Sequence, residues 1–293
     1  MFAATAEIGQ LRRGNGGNHA EIPLKRKNKG WLARTHAPPY DTPMLELATL
    51  TIASLAAGFV NAIAGGGGLI AVPVLFSVFP TAPPATLFGT SKAAMVWGTA
   101  WAAADYSRHV QLPWKTLLPA CLAAVVGGFA GAWLVTLVSA DWLRTLLPVM
   151  LSLALVYTLL SKNLGQAHAP KYSATIEAVL ASLISLLLGL YDGFFGPGTG
   201  SFFIFLFVRV LGFDFLHAVA SAKVLNMTTN LAALALFGWA GHVWWQFMIP
   251  MAVANVVGSH FGARLALSRG SGFIRLVFIA VVAALILKSV AAV

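Results

Sequence analysis

Residues 174–211 read ATIEAVLASLISLLLGLYDGFFGPGTGSFFIFLFVRVL. From Ala174 to Phe195 the stretch is apolar apart from a few small or charged residues, and it reaches the roughly 20 residues that a helix needs to cross a bilayer. It ends in the glycine-rich turn Gly193-Phe-Phe-Gly-Pro-Gly-Thr-Gly200. The apolar run that follows, 200–211, is too short to cross, so the pair reads as a membrane helix leading into a half-helix or re-entrant segment.

The same order occurs upstream: an apolar run over 44–64, then Gly65-Gly66-Gly67-Gly68, then a short apolar run over 69–80. Further long apolar segments lie near 84–107, 114–138, 142–162, 214–238, 243–267 and 273–291. Hydrophobic residues make up 58% of the 293 and charged ones 10%, against roughly a quarter charged in a water-soluble domain. The expected fold is an all-α polytopic membrane protein with about eight long transmembrane helices and two short ones.

Setting Gly58 against Gly189 gives an offset of 131, and the same offset pairs Gly65 with Gly196, Gly67 with Gly198, Lys92 with Lys223, Pro119 with Pro250, Gly127 with Gly258 and Gly131 with Gly262. Shared apolar composition does not place lysines and prolines in one ungapped register, so two homologous repeats are expected. The division is a basic, flexible tail over 1–43, a first repeat over 44–162, a polar loop over 163–173 and a second repeat over 174–293. Five crossings per half would invert the second repeat and four would not; counting basic loop residues leaves this open.

The net charge of +10 is concentrated at the start: seven of nineteen basic residues, Arg12, Arg13, Lys25, Arg26, Lys27, Lys29 and Arg34, precede the first apolar run. Juxtamembrane cations of this kind hold a segment at the cytoplasmic face and meet anionic lipid, so no nucleic-acid partner is expected. No apolar core follows Arg12-Arg13 before Leu45, which argues against a cleavable signal peptide. Cys121 is the single cysteine, and a packing role is expected for it.

Four sets of residues stand out as candidate site groups. In the glycine turns, Gly65, Gly66, Gly67 and Gly68 on one side and Gly196, Gly198, Thr199 and Gly200 on the other let backbone amides approach a ligand. The half-helix after each turn offers unpaired N–H groups suited to an anion. Lys92 and Lys223 each interrupt an apolar segment, where an ammonium is costly without a partner. Asp192 and its counterpart Asn61 are coupling candidates, Asp192 either as a proton carrier or as an ion-pair partner of Lys223. Asn226, Thr229 and Asn230 follow Lys223 at helical spacing, with Asn226 and Asn230 assigned to substrate binding. Gly127, Gly131, Gly258 and Gly262 are expected to serve helix packing. Trp97, Trp101, Trp114, Trp142, Trp239, Trp244 and Trp245, with His109 and His242, are expected at the membrane interface.

Taken together, Gly65-Gly-Gly-Gly-Leu-Ile-Ala-Val-Pro73, Gly189-Leu-Tyr-Asp-Gly-Phe-Phe-Gly-Pro-Gly-Thr-Gly-Ser201 and Ala220-Ser-Ala-Lys-Val-Leu-Asn226 resemble the TauE/SafE sulfite-exporter family over roughly residues 45 to 291. Gly258 to Arg264 followed by Ile274-Arg275 is similar to that family's C-terminal pattern. The resemblance implies a permease of the bacterial inner membrane for small sulfur oxyanions or organosulfonates such as sulfite or sulfoacetate. The first half departs from the pattern in its four consecutive glycines and in Trp97 where the second has Thr228, a difference expected to reshape one wall of the site. The partners expected are a small anionic substrate and the lipid bilayer, with the oligomeric state left open between a single copy and a homodimer.

Enzymatic readings fare poorly. An aspartyl dyad needs two carboxylates in one site, whereas the repeat supplies Asn61 opposite Asp192, and Asp105, Asp141 and Asp214 fall near segment ends. Gly270-Ser-Gly272 lacks a histidine partner at membrane depth. No catalytic residue, cofactor or metal ligand set is expected. A passive anion channel remains the alternative to a transporter, because an anion cradle with paired lysines suits both.

Overall fold

A computed structural model gives the structure of the chain over residues 44–138, 142 and 169–291, with side chains described as far as Gly270 and again at Phe273 and Leu276. The basic tail, the segment expected over 142–162 (apart from Trp142) and residues 163–168 of the polar loop lie outside the described residues.

The described residues form helices and their connections, with no strand among them. The helices are α1 (Met44–Ala64), α2 (Gly68–Val78), α3 (Pro84–His109), α4 (Trp114–Leu137), α5 (Ala174–Phe194), α6 (Thr199–Leu206), a π-helical turn (Phe207–Leu211), α7 (Phe215–Trp239) and α8 (Trp245–Ala291). Their limits follow local chemistry. Pro84 opens α3, where its missing N–H costs nothing. Asp214 caps α7 by accepting from the backbone N–H of His217 at 2.8 Å. Gly270, at φ 70 and ψ −170, breaks the long α8.

Among the described residues three helices, α1, α4 and α5, are long and apolar enough to cross a membrane. α3 and α7 are longer, at 26 and 25 residues, but each carries a buried lysine, amid buried hydroxyls in α3 and buried hydroxyl and amide side chains in α7. Burial is the reverse of that in a water-soluble protein. Leu122, Val126 and Trp133 of α4, Val179 and Leu187 of α5, and Ile249, Val253 and Phe261 of α8 are exposed, while Asn61, Lys92, Asp192, Lys223, Asn230 and Asn255 are buried. Apolar bands of this extent belong against lipid.

Two helix seams hold the arrangement. On one, α4 lies along α5 so closely that a Cβ on Gly127 would strike the carbonyl oxygen of Leu186, and one on Gly131 that of Leu190. On the other, α8 lies along α1, and a Cβ on Gly258 would strike the carbonyl oxygen of Leu55, one on Gly262 that of Phe59. Adding 131 to Gly127 and Gly131 gives Gly258 and Gly262, and subtracting it from Leu186 and Leu190 gives Leu55 and Phe59. These four glycines act in packing, as expected, because only a missing side chain lets the backbones meet.

The tryptophans divide. Trp114 and Trp245 stand exposed at the starts of α4 and α8 and Trp239 at the end of α7. Trp244 is a correction: it is buried at 6% exposure, packed edge-on against Phe79 with ring centres 5.0 Å apart. Its backbone N–H donates to Thr90 Oγ1 at 3.0 Å, which draws the start of α8 inward. Trp97, half exposed in the middle of α3, faces outward and reshapes no wall of the candidate site.

Candidate substrate site between the glycine turns

The connection from α1 to α2 and that from α5 to α6 meet in the interior. Gly65 (φ 79) and Gly198 (φ 86) adopt left-handed backbone conformations that a side chain would strain. Gly65 lies against the backbone of Gly200, and a Cβ on Gly68 would come within 3.0 Å of Pro197. Ser201 Oγ donates to the carbonyl of Ala64 at 2.8 Å, tying the start of α6 to the end of α1. Tyr191 Oη donates to Pro197 O at 2.7 Å and Thr199 Oγ1 to Gly196 O at 2.7 Å, bracing the second turn from within. The N-terminal turns of α2 and α6, whose first N–H groups have no intrahelical partner, are thereby brought side by side.

The lysines arrive from α3 and α7. Lys92 Nζ lies 3.2 Å from Asp192 Oδ2 and 3.5 Å from Asn230 Oδ1. Lys223, fully buried, donates to the backbone carbonyl of Asn61. The two contacts share one pattern, since Lys92 and Lys223 differ by 131 and so do Asn61 and Asp192. Each lysine reaches across to the helix preceding the other half's glycine turn. Asp192 therefore does not hold Lys223, as one expectation had it, because Lys223 is directed to the end of α1 while the end of α5 faces α3.

Among the described residues Lys92 pairs with Asp192, whereas Lys223 meets only a neutral carbonyl, and a lysine removed from water with a dipole as its sole partner gains from an anion beside it. Asn61 Nδ2 donates to Thr99 Oγ1 at 3.0 Å, while Asn61 Oδ1 has no hydrogen-bond partner among the described residues. Asp192 Oδ2 makes the ion pair without a well-directed hydrogen bond. Buried polar atoms left open in this way are what a site keeps for a ligand or a water.

These groups border a small cavity of ≈ 20 Å³, room for about one water molecule. Of the residues singled out from sequence, Asn61, Gly65, Gly68, Lys92, Asp192, Gly196, Gly200, Asn226 and Asn230 line it. Gly66, Gly67, Gly198, Thr199 and Lys223 do not line it. They shape the turns or, as Lys223, stand behind Asn61. Val72, Phe88, Ser91, Met95 and Phe195 also line it and were missed. Ser91 was readable as the neighbour of Lys92 and Met95 as the residue one helical turn on; the others carry no polar signal. Thr229, on the same helix, turns to its own backbone and bonds Asn226 O at 3.0 Å. Among the described residues no group of three or more metal-binding side chains occurs.

Comparison with known proteins agrees with this architecture. The family model for the sulfite exporter TauE/SafE matches residues 50–289. The chain is 35% identical over 245 residues to the probable membrane transporter protein ORF9 of a Sinorhizobium species, covering 84% of this chain and 92% of that protein. It is 35% identical over 234 residues to the probable membrane transporter protein YfcA of Escherichia coli K12, covering 80% and 85%. A more distant relative, the probable membrane transporter protein YdhB of Bacillus subtilis, is 24% identical over 222 residues, 75% of this chain and 89% of that one. No solved structure matches. With apolar helices facing outward, buried charges between two glycine turns and the family's model spanning most of its length, this chain belongs to the TauE/SafE family and is a multi-pass membrane transporter.

Proposed function

We propose that this transporter carries a small sulfur oxyanion or organosulfonate, of the kind of sulfite or sulfoacetate, across a bacterial inner membrane, and that it does so as a secondary transporter. The observation that carries the reading is the arrangement between the glycine turns: Lys92 and Asp192 line the cavity as a pair, and Lys223, behind Asn61, has no acidic partner among the described residues, which favours an anion beside it. Gly65 to Gly68, Gly196, Gly198, Thr199 and Gly200 supply amides and close approach. Lys92 and Lys223 supply charge, and Asn226 and Asn230 supply amide side chains.

The reading includes two homologous repeats and about eight crossings. Its support is that the α4–α5 seam and the α1–α8 seam share contacts at an offset of 131, as do the two lysine contacts. Repeats that rock about a fixed central site would expose it to each side in turn. The small cavity then corresponds to a closed stage, since a sulfur oxyanion needs more room than one water. Asp192 releases Lys92 when an anion takes its place.

The test is thermal unfolding of detergent-purified protein with sulfite, thiosulfate, sulfoacetate, taurine, sulfate and chloride in turn. A ligand at 100 times its Kd stabilises the folded state by about 2.7 kcal/mol. One sulfur anion should raise Tm, and Lys92→Ala and Lys223→Ala should each abolish the shift. A panel without any shift, or a shift that both variants retain, removes the reading.

A further inference from the structure

Away from the glycine turns, a second set of titratable groups lies between α3 and α8, nearer one end of the molecule. Trp101 Nε1 donates to His260 Nδ1 at 3.0 Å. The indole N–H is a donor only, so Nδ1 is the acceptor and the ring's own proton sits on Nε2. On the other side of Nδ1, Asp105 Oδ2 stands 3.8 Å away, too far for a hydrogen bond. That oxygen is buried and has no hydrogen-bond partner among the described residues. A carboxylate oxygen shut away from water and left open beside a neutral imidazole is an incomplete arrangement.

We propose that His260, set between Trp101 and Asp105, is a proton-binding site that links α3 to α8. A proton taken from water adds to Nδ1, converting it from acceptor to donor. The indole then loses its acceptor and Nδ1–H turns to Asp105 Oδ2, closing the gap to about 2.8 Å. One proton enters, one Trp101 hydrogen bond breaks and one Asp105 hydrogen bond forms. The exchange repositions α8 against the helix that carries Lys92.

The surroundings permit this. Asp105 lies one turn before the end of α3, where Ser107, Arg108 and His109 are exposed, and Arg264 stands exposed one turn beyond His260, so polar and charged side chains of the kind that flank a membrane span mark this end. The other titratable groups nearby are committed or turned away. Tyr106 points inward and donates to Ala62 O at 3.0 Å, and His109 Nδ1 contacts Asp105 O at 2.8 Å. On α1, which also packs along α8, the acidic residue is Glu46, in the first turn at the opposite end.

The experiment titrates tryptophan fluorescence of the purified protein from about pH 5 to 8, because a protonated imidazole quenches an adjacent indole. The component lost in Trp101→Phe should fall on acidification and be flat in His260→Gln. Should His260→Gln not fold, ring-labelled histidine NMR on the wild type and Asp105→Asn reads the same protonation. In proteoliposomes, His260→Gln should lose anion accumulation driven by a pH gradient by about tenfold or more while keeping anion exchange at equal pH. The coupling rests on the transport reading, but the titration needs no substrate. A wild type without transport yet with the His260-dependent quench would defeat only the transport reading. A Trp101 signal indifferent to His260, or a variant with undiminished gradient-driven accumulation, would overturn this site.

Discussion

At the scale of single residues, the site combines one balanced and one unbalanced lysine, and the two should respond differently to substitution. Removing one member of a buried ion pair leaves the other charge stranded, which costs about 3–5 kcal/mol. Asp192→Asn should therefore lower the detergent Tm sharply, and Lys92→Met added to it should recover most of the loss, because Lys92 and Asp192 are each other's charge partners. Lys223 is the opposite case. It sets a buried amine against a carbonyl with no acidic partner among the described residues, so Lys223→Met relieves a desolvation cost and should stabilise the empty protein by about 1 kcal/mol or more. The same variant should lose the anion-induced Tm shift. A Lys223→Met protein less stable than wild type would mean that the carbonyl contact, not the anion, is what this lysine serves.

At the scale of elements, the two seams make a quantitative test of equivalence. Gly127 and Gly258 each press on a neighbouring carbonyl oxygen at matching positions. Gly127→Ala and Gly258→Ala should each cost about 1–3 kcal/mol, as overpacking does, and by similar amounts in urea or thermal unfolding. Gly238, near the end of α7, has nothing within 4 Å of a Cβ, so Gly238→Ala should be neutral or stabilising by about 0.4–1 kcal/mol. Much of this was legible in the chain. The runs 44–64 and 174–195 became α1 and α5, and the short runs after the glycine turns became α2 and α6 with its π-helical turn, because proline and glycine punctuate helices locally. The burial of Trp244 was not legible: proximity to a helix start suggests an interface, and only the contact with Phe79 and Thr90 shows the start turned inward.

At the scale of the whole molecule, a transporter whose cavity admits about one water must open to admit an anion. A cysteine placed at Ser91, which lines the cavity, in a protein whose Cys121 is replaced by alanine, should react slowly with a small membrane-impermeant thiol reagent. It should be reachable from each side of the membrane in separate experiments, and a bound sulfur anion should slow labelling severalfold. Labelling from one side alone under all conditions would argue against alternating access.

The sequence by itself determined where most of the described helices run, that they are apolar enough for lipid and which residues share the offset of 131. These are properties of hydropathy and spacing along one dimension. The tertiary structure alone decided which partners those residues meet. Lys92 takes Asp192 and Lys223 takes the Asn61 carbonyl, Trp97 turns outward, and His260 comes to lie between Trp101 and Asp105 across 159 positions of sequence from the indole. Helical spacing fixes which face of its own helix a side chain occupies. Which other helix lies against that face is settled by backbone packing at the glycine seams, and that information is distributed over the whole chain.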